Sequence, residues 1–84
     1  MEKAVAIKYD ESFPAPFILA KGKGELAKVI TAIARKHGID VLPMIELTEG
    51  LIEMDVGALI PEQYYEIVAE LLVFVKGLAE DEKD

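Results

Sequence analysis

Phe17-Ile18-Leu19-Ala20-Lys21-Gly22-Lys23-Gly24-Glu25-Leu26-Ala27-Lys28-Val29-Ile30 changes its hydrophobic period partway along, and the fold follows from that change. Phe17–Ala20 is a short apolar run of the kind that forms a strand, predicted over 17–20. Lys21-Gly22-Lys23-Gly24 is expected to break it. Beyond the glycines, Leu26, Val29, Ile30 and Ile33 fall at i, i+3, i+4 and i+7, one face of a helix predicted over 24–37. Glu25 in the first turn and Arg35, Lys36 and His37 in the last suit the two ends of the helix dipole. Gly38 stands where a left-handed residue ends a helix.

Upstream, Ala4-Val5-Ala6-Ile7-Lys8-Tyr9 reads as a strand over 3–9. Asp10 to Pro16 is a turn, because Pro14 and Pro16 each force the preceding residue out of helical geometry. The spacing suits an antiparallel return of 17–20 beside 3–9. With no strand before it in the sequence, 3–9 is expected to keep one edge unpaired.

Downstream, Ile39, Val41 and Leu42 before Pro43 suggest a third strand over 39–44. Strand, helix, strand would be a βαβ unit with a parallel, right-handed crossover. A short helix is predicted over 47–53 despite Gly50. Asp55-Val56-Gly57 reads as a turn. Pro61 opens a last helix over 61–78, where its missing N–H costs nothing. Its apolar stripe is Tyr64, Ile67, Val68, Leu71, Leu72, Val75 and Leu78, expected to pack across the sheet. The expected fold is therefore α/β. A small mixed sheet of strands 3–9, 17–20 and 39–44 packs with helices 24–37, 47–53 and 61–78. One domain over 1–79 carries an acidic tail, 80–84.

Composition narrows the function. At 84 residues the chain has room for one domain, and 52% hydrophobic residues supply a core. There is no cysteine, which excludes disulfides, thiol nucleophiles and Cys-ligated zinc and fits a reducing compartment. The longest apolar run, Leu71-Leu72-Val73-Phe74-Val75, is far short of the ~20 residues that span a bilayer. The four apolar residues Ala4–Ile7 are too few for a signal-peptide core. A cytoplasmic protein without direct membrane insertion is expected. A net charge of −7 argues against nucleic acid as a partner, because phosphate binding needs a dense basic surface.

Candidates for catalysis are few. Ser12 is the only serine and His37 the only histidine. Ser12 lies in a proline-flanked turn and not on a strand-to-helix elbow, so the pair lacks the context of a nucleophile and base. His37 is explained as a cation at a helix C-terminus. One histidine and scattered carboxylates give no metal-ligand spacing. Lys21, Gly22, Lys23 and Gly24 are a candidate anion or partner loop, since glycines ahead of a helix expose N–H groups and lysines add positive charge. Against this, Glu25 occupies the place an anion would take, and neither the P-loop nor the dinucleotide spacing is met. The plainer reading is a strand-to-helix joint. Tyr64 and Tyr65 fit core and rim packing, and Glu62, Glu66 and Glu70 a solvated helix face. No catalytic residue, metal ligand or cofactor is expected.

The order of motifs resembles a known family. Ala4-Val5-Ala6-Ile7-Lys8-Tyr9-Asp10, Pro14-Ala15-Pro16 and Ala20-Lys21-Gly22-Lys23-Gly24-Glu25-Leu26-Ala27 are similar to the FlhB-type export-switch family of flagella and type III secretion, which includes YscU. His37-Gly38-Ile39, Gly57, Ile60-Pro61-Glu62, Tyr65 and Val68-Ala69-Glu70-Leu71-Leu72 follow in matching order, so the likeness covers about residues 4–78. The resemblance implies a small cytoplasmic α/β domain that follows a four-helix membrane region and helps switch the export gate between substrate classes. It also implies an Asn-Pro-Thr-His loop just before the first strand, whose asparagine breaks its own backbone.

This sequence departs from the family in two ways. It has no asparagine, so cleavage by asparagine cyclisation is chemically unavailable to it. Where many relatives carry a proline pair and then Leu-Ala-Arg-Ala-Leu-Tyr, it reads Pro43-Met44-Ile45-Glu46-Leu47-Thr48-Glu49-Gly50-Leu51-Ile52, with Glu49 in place of an arginine. The expectation is a non-catalytic stand-alone homologue of that domain. It would act as an interaction module peripheral to the inner-membrane export apparatus, docking with or substituting for the cleaved domain of the switch protein. The candidate partner-binding edge is Ala4, Val5, Ala6, Ile7, Lys8 and Tyr9. Its expected partners are the membrane-anchored FlhB-type protein, other export components or substrates, or a second copy pairing along the same edge. The alternatives are a phosphate-type ligand at the Lys21–Gly24 loop and a general interaction protein outside secretion.

Overall fold

The computed structural model describes residues 1–71. Strand β1 (Lys3–Lys8) and strand β2 (Phe17–Lys23) form an antiparallel hairpin, as expected. Lys3 stands opposite Lys23, Val5 opposite Lys21 and Ala6 opposite Ala20. A bulge follows Ala6, so that Ile7 faces Ile18 and Leu19 is the extra residue. In the connecting turn the Phe13 N–H donates to the Asp10 carbonyl at 2.9 Å. Both the backbone N–H and the hydroxyl of Ser12 donate to the Asp10 carboxylate. These bonds hold the Asp10 carboxyl below the usual carboxylate range, the backbone bond contributing most.

The Lys21–Gly24 segment does not break β2, which runs on through Lys23. Only Gly24 leaves the strand, with φ 61, and helix α1 (Glu25–Lys36) starts directly after it. Alternation along β2 puts Gly22 on one face and Lys21 and Lys23 on the other. Gly22 faces α1, where a Cβ would come within 2.5 Å of the Leu26 side chain. Small residues at Ala4, Ala6, Ala20 and Gly22 therefore let α1 lie close on that face. The helix stops as predicted, with Gly38 at φ 71. The Gly38 N–H donates to Arg35 and the Ile39 N–H to Ala34, the paired bonds of a Schellman end.

The expected third strand over 39–44 is not formed. Those residues are irregular, and Ile39, Val41 and Leu42 are 38–60% exposed. Pro43 has no N–H to give a ladder, and the free edge of β2 is filled from elsewhere. The Ile18 N–H donates to Ala58, Gly57 to Ile18 and Ile60 to Pro16, with Phe17 bridging antiparallel to Leu59. The parallel crossover is thus replaced by a short antiparallel contact, delivered by the predicted turn at Asp55–Gly57, where Gly57 has φ 90.

Helix α2 (Ile45–Leu51) starts and ends two residues before the predicted 47–53. A 3-10 turn (Glu62–Tyr64) leads into helical residues 65–71. The remainder of the predicted 61–78 helix and the acidic segment 80–84 lie outside the described residues. Ile18, Leu47, Leu51, Ile60 and Val68 form the buried core, with Val5, Ile7, Met44, Met54, Tyr64, Ile67 and Leu71 packed around it. The hairpin is therefore covered by α1 on one face and by α2 and the last helix on the other.

Only part of the expected apolar face of α1 turns inward, with Ile30 half-buried and Leu26 lying against Gly22. Ala27 is buried, whereas Leu26, Val29 and Ile33 are each at least half exposed. The small side chains beneath the helix allow Ala27 to make the close contact, with Leu26 reaching Gly22 from its edge while Val29 and Ile33 turn toward solvent.

Candidate interaction surface

Two features can do something chemically: the outer edge of β1 and the lysine-rich end of the hairpin. Among the described residues β1 pairs with β2 alone, so its other edge carries backbone N–H and C=O groups without a strand partner. Residues Lys3 to Ile7 of this edge are half-buried, which gives it apolar walls, and Lys8 is exposed. Tyr9 lies just beyond the strand and is exposed. The Gly24 N–H donates to the Glu2 carbonyl at 2.7 Å and ties the start of β1 to the joint before α1.

At this same end of the hairpin, Lys3, Lys21 and Lys23 share the face turned to α2. Lys3 Nζ meets Glu49 at 2.7 Å and Lys23 Nζ meets Glu53 at 3.4 Å. Lys21 Nζ donates to the Ile52 carbonyl oxygen at 3.1 Å, capping the negative end of α2. The Lys3 hydrogen bond, then its charge, holds the Glu49 carboxyl below the usual range. Lys21, Gly22, Lys23, Ile52 and Glu53 line a shallow depression.

Both lysines of the candidate anion loop have acceptors here, and a carboxylate lines the depression. Gly24 lies apart from this contact, at the start of α1. The signal for the pairing was present in the sequence. Glu49 and Glu53 are one helical turn apart, as Lys21 and Lys23 are one strand repeat apart, but their facing could not be read without the fold.

Ser12 is engaged with Asp10, and His37 is exposed at the end of α1. Among the described residues no group of three or more His, Cys, Asp or Glu is placed to hold a metal ion. Among the same residues no helix is long and apolar enough to cross a membrane.

The hairpin-and-helix arrangement has close counterparts. The crystal structure of the native SpaS C-terminal domain superposes with a TM-score of 0.89 at 25% identity, covering 99% of this chain and 98% of that one. The crystal structure of the PscU C-terminal domain gives 0.80 at 31% identity, covering 87% and 95%. In sequence, the chain is 39% identical to YlqH of Bacillus subtilis, covering all of this chain and 91% of that protein. It is 38% identical to the flagellar biosynthetic protein FlhB of Helicobacter pylori, covering 93% of this chain but 22% of that protein. The chain thus spans about a fifth of the length of the FlhB proteins it matches. The model of the FlhB HrpN YscU SpaS family matches residues 1–75, and the chain belongs to that family.

Proposed function

We propose that this protein is a non-catalytic interaction module of the flagellar or type III protein-export apparatus. It works at the cytoplasmic side of the inner membrane and docks a strand of an export-gate partner along β1. The observation that carries this reading is the open outer edge of β1, in a fold that matches export-protein C-terminal domains. An added strand gains a row of main-chain hydrogen bonds there, and side-chain pockets on either side of β1 select it. The partner is a membrane-anchored FlhB-type protein, whose strand preceding the equivalent of β1 is the natural complement. With no asparagine in the chain, the module does not cut itself, and its contribution is binding.

Secretion by cells whose FlhB-type protein lacks its C-terminal domain tests this. Co-expression of this protein is expected to restore export in part. Substitution of Ala6 by proline, which removes a β1 N–H and rigidifies the strand, is expected to abolish the rescue. No rescue, with the protein folded and abundant, contradicts the proposal.

A further inference from the structure

We propose that the outer face of α1 is a self-association surface, and that two copies of this chain pair through it as antiparallel helices. Leu26, Val29 and Ile33 are 54%, 50% and 52% exposed and form one row along the helix, Leu26 at its end resting one side on Gly22. Large aliphatic side chains in a contiguous exposed row mark a contact surface more than scattered ones do. The row spans about two turns, roughly 10 Å, a length that packs helix to helix by ridges into grooves.

The charges beside the row identify a second copy as the occupant. Glu25 and Lys36 are eleven residues apart, about three turns, so they lie on the same flank of the row at opposite ends. Lys28, beside Glu25, and Arg35 lie farther round the helix from the row. In an antiparallel two-fold pair, a flank of one helix stays on the same side as that flank of its copy, with the ends exchanged. Glu25 of each copy then stands beside Lys36 of the other, giving two equivalent ion pairs at the rim of one apolar seam. A parallel pair would bring like ends together, so charge selects the antiparallel arrangement. The helix dipoles favour it as well. In the single chain Glu25 reaches Lys28 at 3.4 Å with both side chains well exposed, a weak contact that gives way easily. This surface is separate from the β1 edge, and the inference does not rest on the function proposed above.

Sedimentation velocity of the full chain from roughly 10 µM to 1 mM is the test, a range suited to a small, weak interface. A concentration-dependent dimer is expected. Ile33→Glu is expected to leave a monomer with unchanged far-UV circular dichroism. Glu25→Lys is expected to weaken the dimer at least several-fold, and Glu25→Lys with Lys36→Glu to restore it. A monomer throughout the range overturns the inference. So does a dimer that Ile33→Glu leaves intact, which would place the contact elsewhere, for example along β1. Failure of the double charge exchange to restore pairing overturns the antiparallel arrangement.

Discussion

Lys3 Nζ lies 2.7 Å from Glu49 Oε2, joining the first residue of β1 to the outer side of α2. Lys3 is also directly opposite Lys23 in the hairpin, and like charges in that position repel. The repulsion is answered by two glutamates, Glu49 of α2 taking Lys3 and Glu53, just beyond the end of α2, taking Lys23. Where relatives are expected to carry an arginine, a glutamate thus holds the hairpin to the helix. A lysine or arginine at position 49 would instead face two lysines.

That contact has a pH dependence. The Glu49 carboxyl is held below its ordinary value in the fold, so the unfolded chain binds its proton more readily. The stabilisation is complete above the ordinary glutamate value of about 4.3 and is lost as pH falls through the lower folded value. Glu49→Gln is expected to lower Tm at neutral pH and to converge with the parent in acid. High salt should narrow the neutral-pH gap. Thermal melts across pH 2–7 check it, and an equal gap at every pH would contradict it. The Asp10 carboxyl, lowered by its bonds from Ser12, adds an acid loss of the same sign to both proteins.

Gly50 is inside α2 because Tyr64 lies against it. A Cβ there would collide with the Tyr64 hydroxyl and come 2.7 Å from ring carbon Cζ. Gly50→Ala, ordinarily favourable in a helix, is therefore expected to destabilise by about 1–3 kcal/mol through overpacking. Tyr64→Phe should recover part of the loss, since it removes the closest atom. Urea unfolding of the double-mutant cycle measures the coupling.

Ile18 and Leu51 have no exposed surface and meet in the core between hairpin and α2. Truncating either to alanine is expected to cost about 2–5 kcal/mol. In a domain this small that is a large share of the whole stability, so the variant should be substantially unfolded at 37 °C by circular dichroism. Val29→Ala, on the exposed side of α1, should leave the Tm of the monomer nearly unchanged.

The self-cleavage chemistry implied by the family resemblance has no reactant here, because the chain contains no asparagine. Intact-mass spectrometry after prolonged incubation at neutral pH should find the whole 9.2 kDa polypeptide and no internal break. A specific scission product would refute the non-catalytic reading.

Local signals were legible in the sequence where local physics decides. Gly38 ends α1 because only a left-handed residue completes its terminal bonds, and Pro14 and Pro16 open the hairpin. The third strand was misplaced because two short apolar segments compete for the edge of β2. Pro43 handicaps 39–44, and the Asp55–Gly57 turn delivers Ala58 to Ile60 at the right place. That contest is tertiary and leaves no periodic mark. The orientation of α1, which leaves Val29 and Ile33 half exposed and sets Leu26 against Gly22, likewise follows from how closely Ala27 lets the helix approach. The hairpin of β1 with β2 was legible, since two apolar runs flank a proline turn, but the lysine–glutamate contacts were not.

The most direct measurement is a heteronuclear NMR titration with a peptide carrying the strand that precedes the β1 equivalent in a membrane-anchored FlhB-type protein. Saturable shifts and new amide-exchange protection centred on Ala4 to Lys8 are predicted. Shifts confined to α1 or to the Lys21–Lys23 face, or none at millimolar peptide with the domain folded, would contradict strand docking at β1.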